Sequence, residues 1–499
     1  MKNVHYIPDQ GELDHLLACG KYKRIPLARE IYEDAFTPVE VVRILRNASR
    51  HCFLFESAER EERWGRYSFL GFQPDLDLTC TDGHLVLSQE TEEGEKTVEE
   101  KQVEHPGDAI RQLICQYNSP VVKGLPPFTG GLVGYFSYDY IKYAEPNLNL
   151  SAQGNGDFLD VDLMLFNDII AFDNYRQKIY VISGILDGDV DKAKTRIDDI
   201  VELLRKGAKN YFPPLSLESE ITPFKNEEQF VDMVNKAKNY IREGDIFQVV
   251  LSNPMTAKAS GSLFDTYRVL RATNPSPYMI YMSSENIEVA ASSPETLARF
   301  SIGDGRKVFT FPLAGTRPRG KTPEEDKEVE KGLLADDKEL AEHNMLVDLG
   351  RNDIGRISEI GTVKVEKYME IERFSHVMHI GSTVTGRLRE NLDAVSCVDS
   401  ILPAGTLSGA PKFRACQIIE ELEGRKRGLY GGAIGYIDFS GNLDVCIAIR
   451  LVYKKNGQIT IQSGAGIVAD SDPLKEEQEC RNKAAAVVEA VKAAEGGLE

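Results

Sequence analysis

The chain has 499 residues, 42% hydrophobic and 27% charged, with a net charge of −19 at pH 7. That length allows two or more domain-sized units with sizeable cores. The acidity argues against nucleic acid or an anionic membrane surface as partner, and it means that any bound anion needs a local source of positive charge.

No apolar run reaches the roughly 18 residues of a membrane span, and MKNVHYIPDQGELD has no apolar h-region, so no signal peptide is expected. The eight cysteines are scattered, with no CxxC and no zinc spacing, as in reduced thiols of a cytoplasmic protein.

Residues 38–116 alternate short β-rich runs with polar turns. FLFES (53–57), RYSFLGF (66–72), DLDLTC (75–80) and HLVLSQ (84–89) read as strands, as does GGLVGYFSYD (130–139). The run 160–183 predicts a hairpin turning at Asp173-Asn174, and a helix is expected over 190–205. The stretch 206–224, with Pro-Pro and many polar residues, marks a domain boundary between 1–210 and 225–499.

Beyond it, helices are expected over 226–242, 262–272, 336–349, 411–422 and 473–494. Strands are expected over 245–254, 278–283, 287–291, 376–386, 431–438, 444–454 and 458–463. Many strands adjoin without a helix between them. This predicts an α+β fold of large antiparallel sheets with helices packed outside, not a doubly wound parallel sheet. GGAIGYIDFS (431–440) echoes GGLVGYFSYD. No GxGxxG, P-loop, GxSxG or kinase set occurs, which argues against nucleotide chemistry.

Several side chains stand out. In ELAEHNMLVDLGRND (339–353), Glu342 shares a helix face with Met345, Leu346 and Leu349, and Gly350 reads as a stop. A buried carboxylate needs a partner, either an arginine or a metal. In DSDPLKEEQECRNKAAA (470–486), Asp472 is an N-cap and Pro473 a first helical residue. There Glu479 and Lys483 form an i,i+4 pair, or Glu479 joins Glu342 on a hard cation such as Mg²⁺. Arg450 interrupts an apolar strand on the side of Cys446, Ala448 and Val452, where it wants a carboxylate from protein or ligand. Three small-residue turns, around Gly464-Ala465-Gly466, PLAGTRPRG (312–320) and PAGTLSGAPK (403–412), are plain loops or parts of an anion pocket. FSHVMHIGSTVTG (374–386) places His376 and His379 on opposite sides of a strand.

DIFQVVLSN, NPSPYMIY, SSPETL, PLAGTRPRG, EHNMLVDLGRND, FSHVMH, PAGTLSGAPK, GLYGGAIGY and GAGIVADSDP, in this order, resemble the chorismate-utilising enzymes, and within them the anthranilate synthase component I group. The resemblance spans about residues 50 to 490. It implies Mg²⁺ ligated by Glu342 and Glu479. It also implies an enolpyruvyl carboxylate held by Tyr430, Arg450 and the Gly464-Ala465-Gly466 amides, with further substrate contacts at Gly315, Thr316 and Lys483. Glu295 matches the general acid for the C4 hydroxyl, His379 the histidine of pyruvate loss, and Thr406 a pocket hydroxyl. Gln248 stands where the water-adding relatives have lysine, and Ala314 where aminodeoxychorismate synthases often carry a nucleophilic lysine. Both positions favour anthranilate as product, with aminodeoxychorismate synthase component I as the alternative. Ammonia is expected from glutamine through a separate glutaminase, component II. FLFES with Ser57, and NPSPYM with Pro277, Tyr278 and Met279, imply an L-tryptophan feedback site.

Overall fold

The computed structural model describes residues 5–57, 65–91, 94–148, 150, 158–373 and 377–498. His376 lies outside them. Two antiparallel sheets of 14 and 12 strands face each other. Phe53, Phe166, Ile280, Ile434 and Cys446 belong to one buried cluster between the sheets, where the Phe53 and Phe166 rings meet edge to face at 5.0 Å. Burial of such aromatic pairs is a main favourable term in a core of this kind. Helices Val190–Lys206, Phe264–Thr273 and Pro473–Ala494 cover the first sheet through Ile197, Leu270 and Val487. Helices Gly107–Gln116, Asp337–Ile357 and Ala394–Ile401 cover the second through Ile110, Ile354 and Val398. The α+β architecture of antiparallel sheets with outer helices is thus observed.

Each sheet runs through both parts of the chain. Strand Cys52–Glu56 pairs with Tyr278–Ser283 in the first sheet. In the second, Gly131–Phe136 pairs with Ala433–Asp438, with Gly134 opposite Gly435. The two echoing GG-x₂-GY segments are therefore neighbours.

The chain also crosses from one sheet to the other, and here two expectations need correction. The hairpin turning at Asp173-Asn174 is observed, with Asp168–Asp173 paired to Lys178–Leu186 in the first sheet, but the run 160–183 holds a third strand, Val161–Phe166, which lies in the second sheet. The run 444–454 is likewise broken. Leu443–Ile447 belongs to the second sheet and Leu451–Lys455 to the first. Arg450 sits at this crossover with φ +53°, not within a strand beside Cys446 and Val452.

Three further expectations change. Gly350 does not stop its helix, which continues to Ile357 because Ile354 and Ile357 keep the apolar spacing. A Cβ at Gly350 would meet Thr310 Cγ2 at 3.1 Å, so packing against the sheet, not termination, accounts for the small residue. PLAGTRPRG contains a strand, Leu313–Pro318. Gly464-Ala465-Gly466 lies within strand Gln458–Ile467, not in a turn after it.

Candidate active site

The polar groups gather where the second half of the chain passes between sheets. Two crossovers lie side by side. Ile447 donates its N–H to the Glu295 carbonyl at 2.9 Å, and Ser292 donates to the Arg450 carbonyl at 3.0 Å. Ser293 Oγ also donates to the Ile447 carbonyl at 2.6 Å. This backbone lacing places the Glu295 and Arg450 side chains in one region.

Glu295 is 8% exposed. Thr406 donates its hydroxyl to Glu295 Oε1 at 3.2 Å. Burial pushes the Glu295 carboxyl up to about 8; the Thr406 hydroxyl, the Leu313 N–H and the Lys483 charge offset only part of this. The group therefore carries a proton at neutral pH, as a general acid must. Thr406 sits in the loop 402–411. Further along that loop, Ala410 pairs with Gln248, the first residue of strand Gln248–Ser260.

Gly315 forms the bulge in strand Leu313–Pro318, where the register shifts between Ala314 and Thr316. Its φ of +62° suits glycine. Across the ladder, Thr316 Oγ1 lies 3.1 Å from His379 Nδ1. Burial and the Arg450 charge hold the His379 imidazole down at about 4, against a smaller opposing effect from the Gly315 backbone. His379 is therefore neutral at pH 7, with a hydroxyl fixing one nitrogen.

Two helices bring in the carboxylates. Asp336 caps Asp337–Ile357 by accepting from the Lys338 and Glu339 N–H groups. Asp472 does the same for Pro473–Ala494 at Leu474 and Lys475. Lys483 is their common neighbour. Its Nζ is 2.7 Å from Glu479 Oε1, its charge acts on Glu342, and its carbonyl accepts from Arg450 Nη1 at 2.6 Å. Burial lowers the Arg450 guanidinium, with Tyr430 and Glu479 opposing the shift. Glu342 accepts from Gln248 Nε2 at 3.4 Å. Burial first, then the Glu339 carboxylate, raises the Glu342 carboxyl. The Lys483 and Lys338 charges and the Gln248 amide oppose this shift.

Among the described residues, no three His, Cys, Asp or Glu side chains gather closely enough to hold a metal alone. A hard cation taking one or two carboxylates and completing its shell with ligand oxygens and water fits such a donor set, and Mg²⁺ is such a cation.

The floor is strand Gln458–Ile467, where Gly464 pairs with Ser252, Ala465 with Leu251 and Gly466 with Val250. Strand Leu451–Lys455 accompanies it only as far as Ile461. A Cβ on Gly464 would lie 3.0 Å from the Tyr430 hydroxyl, and one on Gly466 2.7 Å from Gln248 Nε2. The two glycines therefore let polar side chains reach the backbone.

The two other segments singled out in the sequence also meet. Met279 pairs with Glu56 in the ladder between Tyr278–Ser283 and Cys52–Glu56, which puts Ser57 beside Tyr278, the first residue of its strand. Glu56 accepts from Arg271 at 2.8 and 3.1 Å and from the Tyr267 hydroxyl. Tyr278 donates to Asp444 at 2.8 Å.

Sequence reasoning missed several buried polar pairs, among them the following two. His343 is fully buried, with Nε2 2.6 Å from Ser382 Oγ. Arg427 pairs with Glu423 at 2.6 Å and donates to the Leu407 and Val250 carbonyls. The i,i+4 spacing of Glu423 and Arg427 was the available signal for the second. All eight cysteines are free thiols.

Residues 50–489 match the chorismate binding enzyme family. The chain is 43% identical to anthranilate synthase component 1 of Acetivibrio thermocellus, over 97% of this chain and 98% of that protein. Against the Pseudomonas aeruginosa protein of the same name it is 42% identical, again over 97% and 98%. Its structure superposes on anthranilate synthase component I from Streptococcus pneumoniae with a TM-score of 0.74 and 37% identity, over 86% of this chain and 94% of that one. The isochorismate synthase MenF of Escherichia coli shares the fold at 18% identity, with a TM-score of 0.68 over 96% and 98%. The chain therefore belongs to the chorismate-binding enzymes, in their anthranilate synthase component I branch.

Proposed function

We propose that this chain converts chorismate and ammonia to anthranilate and pyruvate, with 225–499 as the catalytic part and 1–210 as the regulatory part. The observation that carries this reading is Glu295, a carboxyl kept protonated by burial beside Thr406 and within the field of Lys483.

Ammonia forms a bond to C2 of the ring while the C4 hydroxyl departs. Hydroxide is a poor leaving group, so Glu295 transfers its proton and the group leaves as water. The product of this stage is 2-amino-2-deoxyisochorismate. Gln248 positions ammonia, which is already nucleophilic when neutral and needs no lysine base. The second stage removes the C2 proton, breaks the C3–O bond to the enolpyruvyl side chain and aromatises the ring, while a proton added to the side chain's methylene carbon lets it leave as pyruvate. His379, neutral and oriented by Thr316, serves this stage. Arg450, Tyr430 and the backbone at Gly464-Ala465-Gly466 hold the enolpyruvyl carboxylate, while Gly315, Thr316 and Lys483 line the remaining contacts. Glu342 and Glu479 would hold Mg²⁺, which would supply counter-charge to the ring carboxylate of a doubly negative ligand. With Ala314 in place of a lysine, no covalent amine route is open at that position.

The chain acts with a glutaminase subunit that delivers ammonia, in the cytoplasm. No helix among the described residues is long and apolar enough to cross a membrane. L-tryptophan is the feedback ligand of the Ser57 and Pro277-Tyr278-Met279 segment, acting by binding one arrangement of the two parts more tightly.

Incubation with chorismate, Mg²⁺ and ammonium at alkaline pH tests the reading. Anthranilate fluorescence supports it. An aminated product that still bears the enolpyruvyl group points to aminodeoxychorismate synthase instead. A tryptophan-binding protein without turnover would give neither.

A further inference from the structure

Asp353 takes no part in the chemistry above, yet it is only 3% exposed. It lies on Asp337–Ile357, the helix that carries Glu342. Its Oδ2 accepts from Lys412 Nζ at 2.7 Å, and its Oδ1 has no hydrogen-bond partner among the described residues. Lys412 also donates to the Ile401 carbonyl at 3.1 Å. Ile401 and Lys412 flank the loop 402–411, which brings Thr406 to Glu295 and Ala410 to Gln248. One ammonium thus closes the base of the loop that touches both residues. A second tie runs from Ser400 Oγ to the Asp353 carbonyl at 2.6 Å.

Asp353 also lines a cavity of about 20 Å³ together with Glu295, Thr406 and Thr310. One water needs roughly 10–15 Å³ and two to four polar partners. This cavity offers both, and the bare Asp353 oxygen is the group most in need of a donor.

We propose that the Asp353–Lys412 pair is the positioning device of the acid: it fixes the loop that sets Thr406 against Glu295, and its free oxygen anchors a water behind Glu295. This rests on Glu295 being the acid. Lys483, from Pro473–Ala494, is the charged side chain that acts on Glu295. The Asp353–Lys412 pair, from Asp337–Ile357 and Lys412–Glu423, is closed at 2.7 Å, with Arg356 also acting on Asp353, and it meets Glu295 through the loop and the shared cavity. The other elements around the cavity contribute Thr296, Thr310, Ile401 and Ile447, which are uncharged at any pH.

Intact, the pair presents no net charge to Glu295. Asp353→Asn leaves a lone cation, which favours the carboxylate. Lys412→Gln leaves a carboxyl whose ionisation burial already opposes; the fraction that stays ionised at alkaline pH favours the acid, so this shift is the smaller of the two. The alkaline limb of amination, measured at constant free ammonia, should therefore move to lower pH in Asp353→Asn and to higher pH in Lys412→Gln. Each shift should be about half a unit to one unit, with kcat down about tenfold and KM for chorismate within about threefold. The double variant should return the limb towards its original place.

An unmoved limb in folded variants, or equal shifts of one sign that track Tm, would overturn the proposal. If Asp353→Asn does not fold, Lys412→Gln decides alone by the same criterion. Glu295→Gln separates the two levels. Full amination in that variant removes the acid assignment itself, whereas a dead Glu295→Gln with unmoved limbs elsewhere removes only this inference.

Discussion

Arg450 donates from Nη1 to the Lys483 carbonyl at 2.6 Å. The bond ties the crossover between sheets to the helix that carries Glu479. It also fixes a guanidinium, the planar group that grips a carboxylate in the bidentate manner that lysine cannot match. Arg450→Lys should raise KM for chorismate by about tenfold or more, with Tm lowered by only a few degrees. Steady-state kinetics beside thermal melting check this. A KM within twofold of the parent would remove Arg450 from substrate binding.

Glu295 gives a prediction with a sign. Its folded pKa of about 8 lies above its ordinary value of 4.5. The buried acid is therefore harmless below pH 4.5, and folding stability is lost as pH rises towards 8. Glu295→Gln should abolish amination. It should also be more stable than the parent at pH 9 by about 1–3 kcal/mol, with little difference at pH 4. Denaturant melts at the two pH values decide it. A stability gain independent of pH would mean that Glu295 is not protonated in the folded state.

His379→Ala should impair loss of pyruvate more than amination, so that 2-amino-2-deoxyisochorismate accumulates. Because burial holds the ring neutral above about pH 4, the second stage should show no histidine limb between pH 5.5 and 8, about the range where an unperturbed imidazole titrates. Chromatography of quenched reactions checks both points. Equal loss of the two stages would count against a separate role.

Arg427 and Glu423 are 1% and 3% exposed and pair at 2.6 Å. Arg427→Met would strand the Glu423 carboxylate and leave the Leu407 and Val250 carbonyls without this donor. Breaking a buried pair this way costs about 3–5 kcal/mol. Urea unfolding should show that loss, and a change below about 1 kcal/mol would contradict the structural role.

Much of this was legible in the sequence because period and propensity agree. The run 75–80, DLDLTC, alternates polar and apolar residues as a half-buried strand does, and the two caps at Asp336 and Asp472 come with the acidic and proline signals of a helix start. The crossovers at Asn167 and at 448–450 were not legible. Both flanking segments are buried, so the apolar run continues while the chain changes sheets, and only Arg450 with its positive φ marks the break. Gly350 misled because small residues also serve close packing. Glu342, Glu479 and Arg450 were readable as candidates from their spacing, but their meeting at Lys483 depends on segments far apart in the chain. Asp353 with Lys412 and His343 with Ser382 were invisible for the same reason.

The most direct test is product analysis of the chain with chorismate and ammonium, with and without EDTA, in the parent and in Glu342→Gln and Glu479→Gln. The parent should give anthranilate and pyruvate in equal amounts. Their formation should stop with EDTA and return with excess Mg²⁺, and both variants should lose turnover while remaining folded. Anthranilate formed at the same rate in EDTA, or by either glutamine variant, would contradict it.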